Sequence, residues 1–303
     1  MHASRTGAVR QAGRHVGMAL GALCAAAAAF AQASAPFDQG LLWRVEKSGV
    51  AASQVFGTIH VDDPRITALP PPVAAGLDGA RSFTMEVSLD APNLMALAAR
   101  MLYTDGRTLD AVTGADLYRR LVPAMEARGM PEAVVRSFRP WAAMMILAMP
   151  QQSSTEVLDF VLYKRARARG LPVFELETVD DQIGAFEGMP ENHQVLMLRH
   201  TVDTLATLPQ RMERLLAAYL ARDLAAMWRL SEETTRNRPD LKATNELFER
   251  LLLTDRNRHM VERMQPQLQQ GGAFVAVGAL HLYGERGVLR LLESRGWKLT
   301  RVY

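Results

Sequence analysis

Ala273-Phe274-Val275-Ala276-Val277-Gly278-Ala279-Leu280-His281 is the stretch on which the reading of this chain turns. Its apolar run predicts a strand, and its Gly-x-x-His tetrapeptide follows the strand's end. The same pattern stands near the other end of the chain, where Gln54-Val55-Phe56 leads into Gly57-Thr58-Ile59-His60. Each copy puts an imidazole just past a strand, and loops at strand ends are where α/β folds gather catalytic groups. Ser82-Phe83-Thr84-Met85-Glu86-Val87 predicts another strand, with Glu86 near its far end. Two histidines and a glutamate meeting on one sheet edge point to a hydrolytic site that holds a metal.

Working outward, the segments Leu41–Glu46 and Gln54–Ile59 read as a hairpin joined by Lys47-Ser48-Gly49-Val50. Pro70-Pro71-Pro72 opens a short helix, Val73–Leu77, before the strand that carries Glu86. From Ala91 the pattern is helical, punctuated by Pro123, Pro131 and Pro140, and Pro150 ends the helix of Trp141, Met144, Met145 and Leu147. Thr155–Arg169 is helical up to Gly170, and Leu171–Leu176 returns as a strand. The basic run Lys164–Arg169 suits the last turns of that helix. Val179–Leu268 is helical again, and the chain closes with the strand Ala273–Val277, a helix over Val288–Glu293 and the strand Trp297–Val302. The expectation is an α/β fold with a central mixed sheet and inserted helical segments, in one domain over residues 36–303.

The first residues read as a secretory signal. Arg5, Arg10 and Arg14 form a basic start, Val16–Phe30 a short apolar stretch, and Ala31-Gln32-Ala33 a small-x-small cleavage pattern. Cleavage is expected after Ala33, with Ala35 as the alternative, and no integral membrane segment is expected beyond it. This predicts a periplasmic or secreted protein. Cys24, the single cysteine, falls inside the signal, so the exported chain depends on its core and not on disulfides. Thirty-five Lys and Arg exceed 32 Asp and Glu by three, and the three signal arginines account for the excess. A near-neutral remainder gives no footprint for nucleic acid.

Imidazoles bind borderline metals, and a carboxylate completes a three-ligand site with room for water. His60, Glu86 and His281 are the expected ligands, with Glu86 alternatively a general base toward a metal-held water. The glycines are expected to let the loops bend and the backbone approach a ligand closely. Asp62 and Asp63 are candidates to orient His60. A lone histidine after a strand is more often a surface residue than a ligand, so the conjunction of the three carries the reading. His193, His200 and His259 fall in helical stretches and are assigned surface or packing roles. The chain has no His-Glu-x-x-His, no Gly-x-Ser-x-Gly and no phosphate-binding glycine loop.

These motifs, taken together, resemble a known family. Phe56–His60, Leu69-Pro70 and Met85-Glu86-Val87 are similar to the start of the TraB/GumN, or TIKI-like, family, and Val277–Val288 to its end. Leu176-Glu177-Thr178 with Gln182, and Asp255-Arg256-Asn257-Arg258, resemble two internal motifs. The resemblance implies the fold of erythromycin-esterase-like and ChaN-like proteins. It also implies a metal-dependent peptidase using manganese, cobalt or zinc at His60, Glu86 and His281. Arg256 and Asn257 would sit close by, to hold a peptide or small-molecule substrate or a developing oxyanion. Glu177 and Gln182 would support the ligands or pack helices. Two alternatives stand beside this: a metal-independent esterase-type hydrolase with His60 as base and Glu86 or His281 as its partner, and a non-catalytic periplasmic binder of haem or a polysaccharide precursor.

Overall fold

The computed structural model describes residues 37–88, 90–150 and 156–303. The signal reading, both cleavage positions and Cys24 lie outside the described residues. Phe37–Tyr303 forms one compact unit.

Six strands make one mixed sheet: β1 Leu42–Glu46, β2 Ser53–Thr58, β3 Ser82–Met85, β4 Val173–Glu175, β5 Ala273–Gly278 and β6 Lys298–Arg301, in the spatial order β4-β3-β5-β2-β1-β6. β1 runs antiparallel to both β2 and β6, whereas β2, β3 and β4 run parallel with β5 or with each other. The β1–β2 hairpin is short because Gly49 takes φ +78° and Val50 N–H closes the turn on Lys47 C=O. Parallel neighbours cannot be joined that way, so the helical insertions span β3 to β4 and β4 to β5.

β5 sits mid-sheet, its apolar run AFVAV wholly buried. Phe274 touches Phe56 of β2 and Phe83 of β3, with ring centroids 6.1 and 6.4 Å away. Burying each of these rings contributes about 1.5–3 kcal/mol. A second hydrophobic cluster lies among the inserted helices, where Leu117, Leu121, Met125, Trp141, Ile183 and Leu198 are buried together. Pro123 does not break its helix, which continues over Ala115–Glu126. The lost hydrogen bond is offset by Leu117, Leu121 and Met125, buried on the same face across the proline.

Because β2, β3, β4 and β5 share one direction, their carboxyl ends meet at one edge. Chain order reverses there, since β5 inserts between β2 and β3, which are sequential in the chain. Such a reversal opens a crevice outside the strand ends.

Candidate active site

His60 follows the end of β2. Its Nδ1 lies 2.7 Å from Oδ2 of Asp159, and Oδ1 of the same carboxylate accepts a 2.7 Å bond from Thr58 Oγ1. An ionised carboxylate only accepts, so His60 Nδ1 carries a proton and Nε2 is the basic nitrogen of the neutral ring. The Asp159 charge is the largest influence on the imidazole, opposed by burial of its surroundings, and holds its pKa up at about 9. The side chain is 53% exposed, so solvent screens part of that pull. Upstream, Gly57 C=O accepts from the buried Tyr219 hydroxyl at 2.8 Å.

The expected orienting role of Asp63 is not observed. Its carboxylate caps the next helix at Arg65 N–H and pairs with the Arg65 guanidinium, while the bond to His60 Nδ1 comes from Asp159. Asp159 lies in the helix Leu158–Ala168, on the buried face of Leu158, Leu162 and Ala166. An acid at that spacing from an apolar stripe is the signal that marks it, because burying a carboxylate is costly unless it is paired.

Glu86 follows β3 and is gripped from several sides. Oε1 accepts from Gly278 N–H at 2.7 Å, and Oε2 from Arg256 Nη2 at 2.8 Å and Gln182 Nε2 at 3.3 Å. Burial opposes ionisation, but the His281 imidazole, the Arg256 guanidinium, the His60 imidazole and the Gly278 N–H together outweigh it and hold the carboxyl below the usual range. The permanent charge among them is Arg256, which also donates to both oxygens of Glu177 at 2.8 and 2.6 Å and to Leu252 C=O at 3.1 Å. Arg256 thus links two carboxylates, with Gln182 donating to both. The helical stretch ahead of it widens into a π-helical turn over Arg250–Thr254, a rare geometry often found beside functional residues.

His281 follows β5 within the helical turn Ala279–Leu282 and is buried. Its Nδ1 lies 2.6 Å from Asn257 Oδ1. The Asn257 amide donates through Nδ2 to Arg286 C=O at 2.8 Å, which fixes Oδ1 toward the ring. His281 therefore donates from Nδ1, and its Nε2 faces Glu86 Oε1 at 3.8 Å. Burial pushes this imidazole down to about 4, so it is neutral at physiological pH.

The two motif glycines serve close packing, with φ outside the left-handed region at both. A Cβ on Gly57 would stand 2.8 Å from Leu282 Cδ1 and 3.1 Å from Ala279, so the first motif packs on the turn that carries His281. A Cβ on Gly278 would stand 3.3 Å from His281 Cδ2 and 3.4 Å from Glu86 Oε1.

A cleft of about 270 Å³ is lined by His60, Met85, Glu86, Met149, Asp159 and Gln182. Another of about 250 Å³ opens beside Arg256 and His281. Among the described residues, no group of three or more His, Cys, Asp or Glu is gathered closely enough to hold a metal ion. The Glu86 oxygens are engaged by Gly278, Arg256 and Gln182. The donor chemistry nonetheless suits a borderline divalent ion: each imidazole donates Nδ1–H to an oxygen acceptor, as metal-bound histidines do.

His193 and His200 bond to Thr244 and Thr234 hydroxyls inside the helical region. In the basic run, Arg165 pairs with Asp78. None of the described helices is long and apolar enough to cross a membrane.

The TraB/PrgY/gumN family model matches residues 41–301. This chain belongs to the TraB/PrgY/gumN family. The match takes in both Gly-x-x-His motifs, Glu86, Arg256 and Asn257. Among curated proteins, "Metalloprotease TIKI homolog" of Amphimedon queenslandica is 23% identical, over 86% of this chain and 61% of that protein. "Metalloprotease TIKI2" of Danio rerio is 24% identical, over 85% of this chain and 60% of that protein. The matches thus span about three-fifths of these relatives' own length. No solved structure matches the chain.

Proposed function

We propose that this family member is an exported, metal-dependent peptidase, cleaved after Ala33 and working outside the cytoplasm. The observation that carries the reading is the pairing at the two motif histidines: Asp159 on His60 Nδ1 and Asn257 on His281 Nδ1 occupy that nitrogen in both rings and leave Nε2 as the ligating atom, from which the proton on His60 would be displaced by an ion. His60 and His281 would hold a divalent ion such as manganese, cobalt or zinc through those nitrogens, with the Glu86 carboxylate beside them. When bound, the ion would supply Lewis acidity toward a peptide carbonyl and a more acidic water. The curated relatives named as metalloproteases support the same reading.

The chain's own residues do the rest. Arg256 keeps Glu86 ionised and fixed against the sheet edge. Gly278 N–H and Gln182 set the carboxylate's direction. Asn257 holds His281 in one tautomer, and Asp159 does the same for His60.

A metal-independent hydrolysis has one specific observation in its favour. The His60–Asp159 pair has the form of a base steadied by a carboxylate, with Asp159 in the place expected for Glu86 or His281. Peptide hydrolysis by the purified chain, with and without chelator, separates the two. Activity abolished by chelation and restored by manganese or cobalt supports the metal reading. Activity that survives chelation and disappears in His60→Ala supports the other.

A further inference from the structure

Beside the His60 cleft lies a hollow that neither the motifs nor the family assigns. It measures about 90 Å³, and its walls are Val87, Leu94, Leu97, Trp141, Ile183 and Phe186, drawn from β3's end and three inserted helices. Val87 and Gln182 line both this hollow and the His60 cleft, so the two are contiguous. Gln182 is also the side chain that donates to Glu86.

The surface at the mouth is unusually apolar. Leu94, which lines the hollow, is 48% exposed on a helix, Ala91–Arg100, that buries no residue. Met149, on the cleft's rim, is 37% exposed. Exposed apolar groups gathered around a concave site mark a surface made to be covered. The floor is firm, because Trp141 stacks on Phe186 at 5.3 Å and both belong to the helical core.

We propose that this hollow receives an aliphatic side chain, leucine or methionine in class, from the substrate residue next to the scissile bond. The inference rests on the peptidase reading and adds a substrate preference to it. Size argues for aliphatic over aromatic, since the hollow is smaller than the ~150 Å³ apolar cavity that holds a benzene ring. The walls argue against charge, because the polar residues among them, Ser88, Asn93 and Gln182, carry no charge to pair with a desolvated carboxylate or ammonium. Gln182 places the hollow within one side chain of Glu86, so an occupant's backbone would lie along the cleft.

The test is cleavage of a defined equimolar peptide mixture by the full chain with manganese, with the new termini read by mass spectrometry. Leucine or methionine is expected at one fixed position beside the cut, favoured about tenfold or more over glycine and aspartate. Leu97→Trp, which fills the hollow from its partly exposed side, is expected to move that preference to alanine and glycine while small-residue peptides are still cut. Cleavage with no preference, or an unchanged preference in Leu97→Trp, overturns the pocket and leaves the peptidase reading standing. If no peptide is cut, the peptidase reading falls, and direct binding decides the pocket. Met145 also lines the hollow, and N-acetyl-leucinamide shifting its methyl resonance in the wild type but not in Leu97→Trp supports the hollow as an aliphatic site. No shift overturns it.

Discussion

Asn257 Oδ1 stands 2.6 Å from His281 Nδ1, and the other end of the same amide is tied to Arg286 C=O. A buried side chain that can neither flip nor withdraw thereby decides which imidazole nitrogen faces Glu86. Asn257→Ala removes that control. Manganese affinity of the purified chain is expected to fall about 10–100-fold, the usual cost of losing the group that orients a ligating histidine. Asn257→Asp, which still accepts from Nδ1, is expected to keep more of it. Titration calorimetry reads both.

Asp159→Asn removes the charge that acts on His60 and replaces its acceptor with an amide NH2 group, while the amide oxygen can still accept from Thr58. In chelated protein the His60 pKa is expected to drop from about 9 toward its ordinary 6.5, as followed by NMR of the ring. A raised native pKa stabilises the fold fully below 6.5, and that contribution fades as pH climbs through 9. The difference in Tm between wild type and Asp159→Asn is therefore expected to be widest in mild acid and to narrow above about 9.

Arg256 neutralises two carboxylates at once, one of them Glu177, whose side chain is 1% exposed. Arg256→Met leaves both without their cation. Breaking such a buried group from one side costs about 3–5 kcal/mol, measurable by urea unfolding. Adding Glu177→Gln to that variant is expected to recover part of the loss.

Glycine substitutions separate packing from mere flexibility. Gly57→Ala drives a methyl against Leu282 and Ala279, and is expected to destabilise by about 1–3 kcal/mol while disturbing the His281 turn. Gly184→Ala, on the helix Val179–Glu187 with nothing near its added methyl, is expected to stabilise by about 0.5–1 kcal/mol.

Much of this was open to a reader of the sequence. All six strands show as apolar or alternating runs, and the places of His60, Glu86 and His281 after parallel strands account for Glu86 lying 3.8 Å from His281 and sharing a cleft with His60. Boundaries moved by a residue or two, as at β4, where the expected Leu171–Leu176 narrows to Val173–Glu175. Pro123 misled, because proline's penalty is local while Leu117, Leu121 and Met125 are held by tertiary packing. Asp159 was hidden for a different reason. It lies about a hundred residues from His60 in the chain, and only folding brings that helix against β2's end. Proximity to His60 favours Asp62 and Asp63 instead, and the Asp63 carboxylate has a nearer partner in Arg65. The grip of Gly278 and Gln182 on Glu86 is equally non-local.

The most direct test is a crystal structure of the chain with manganese or cobalt, located by its anomalous scattering. One ion bonded to Nε2 of both His60 and His281, with Glu86 among its neighbours, is the predicted result. Full occupancy of an ion elsewhere, or no ion at these nitrogens in a chain that still hydrolyses peptides, would contradict it.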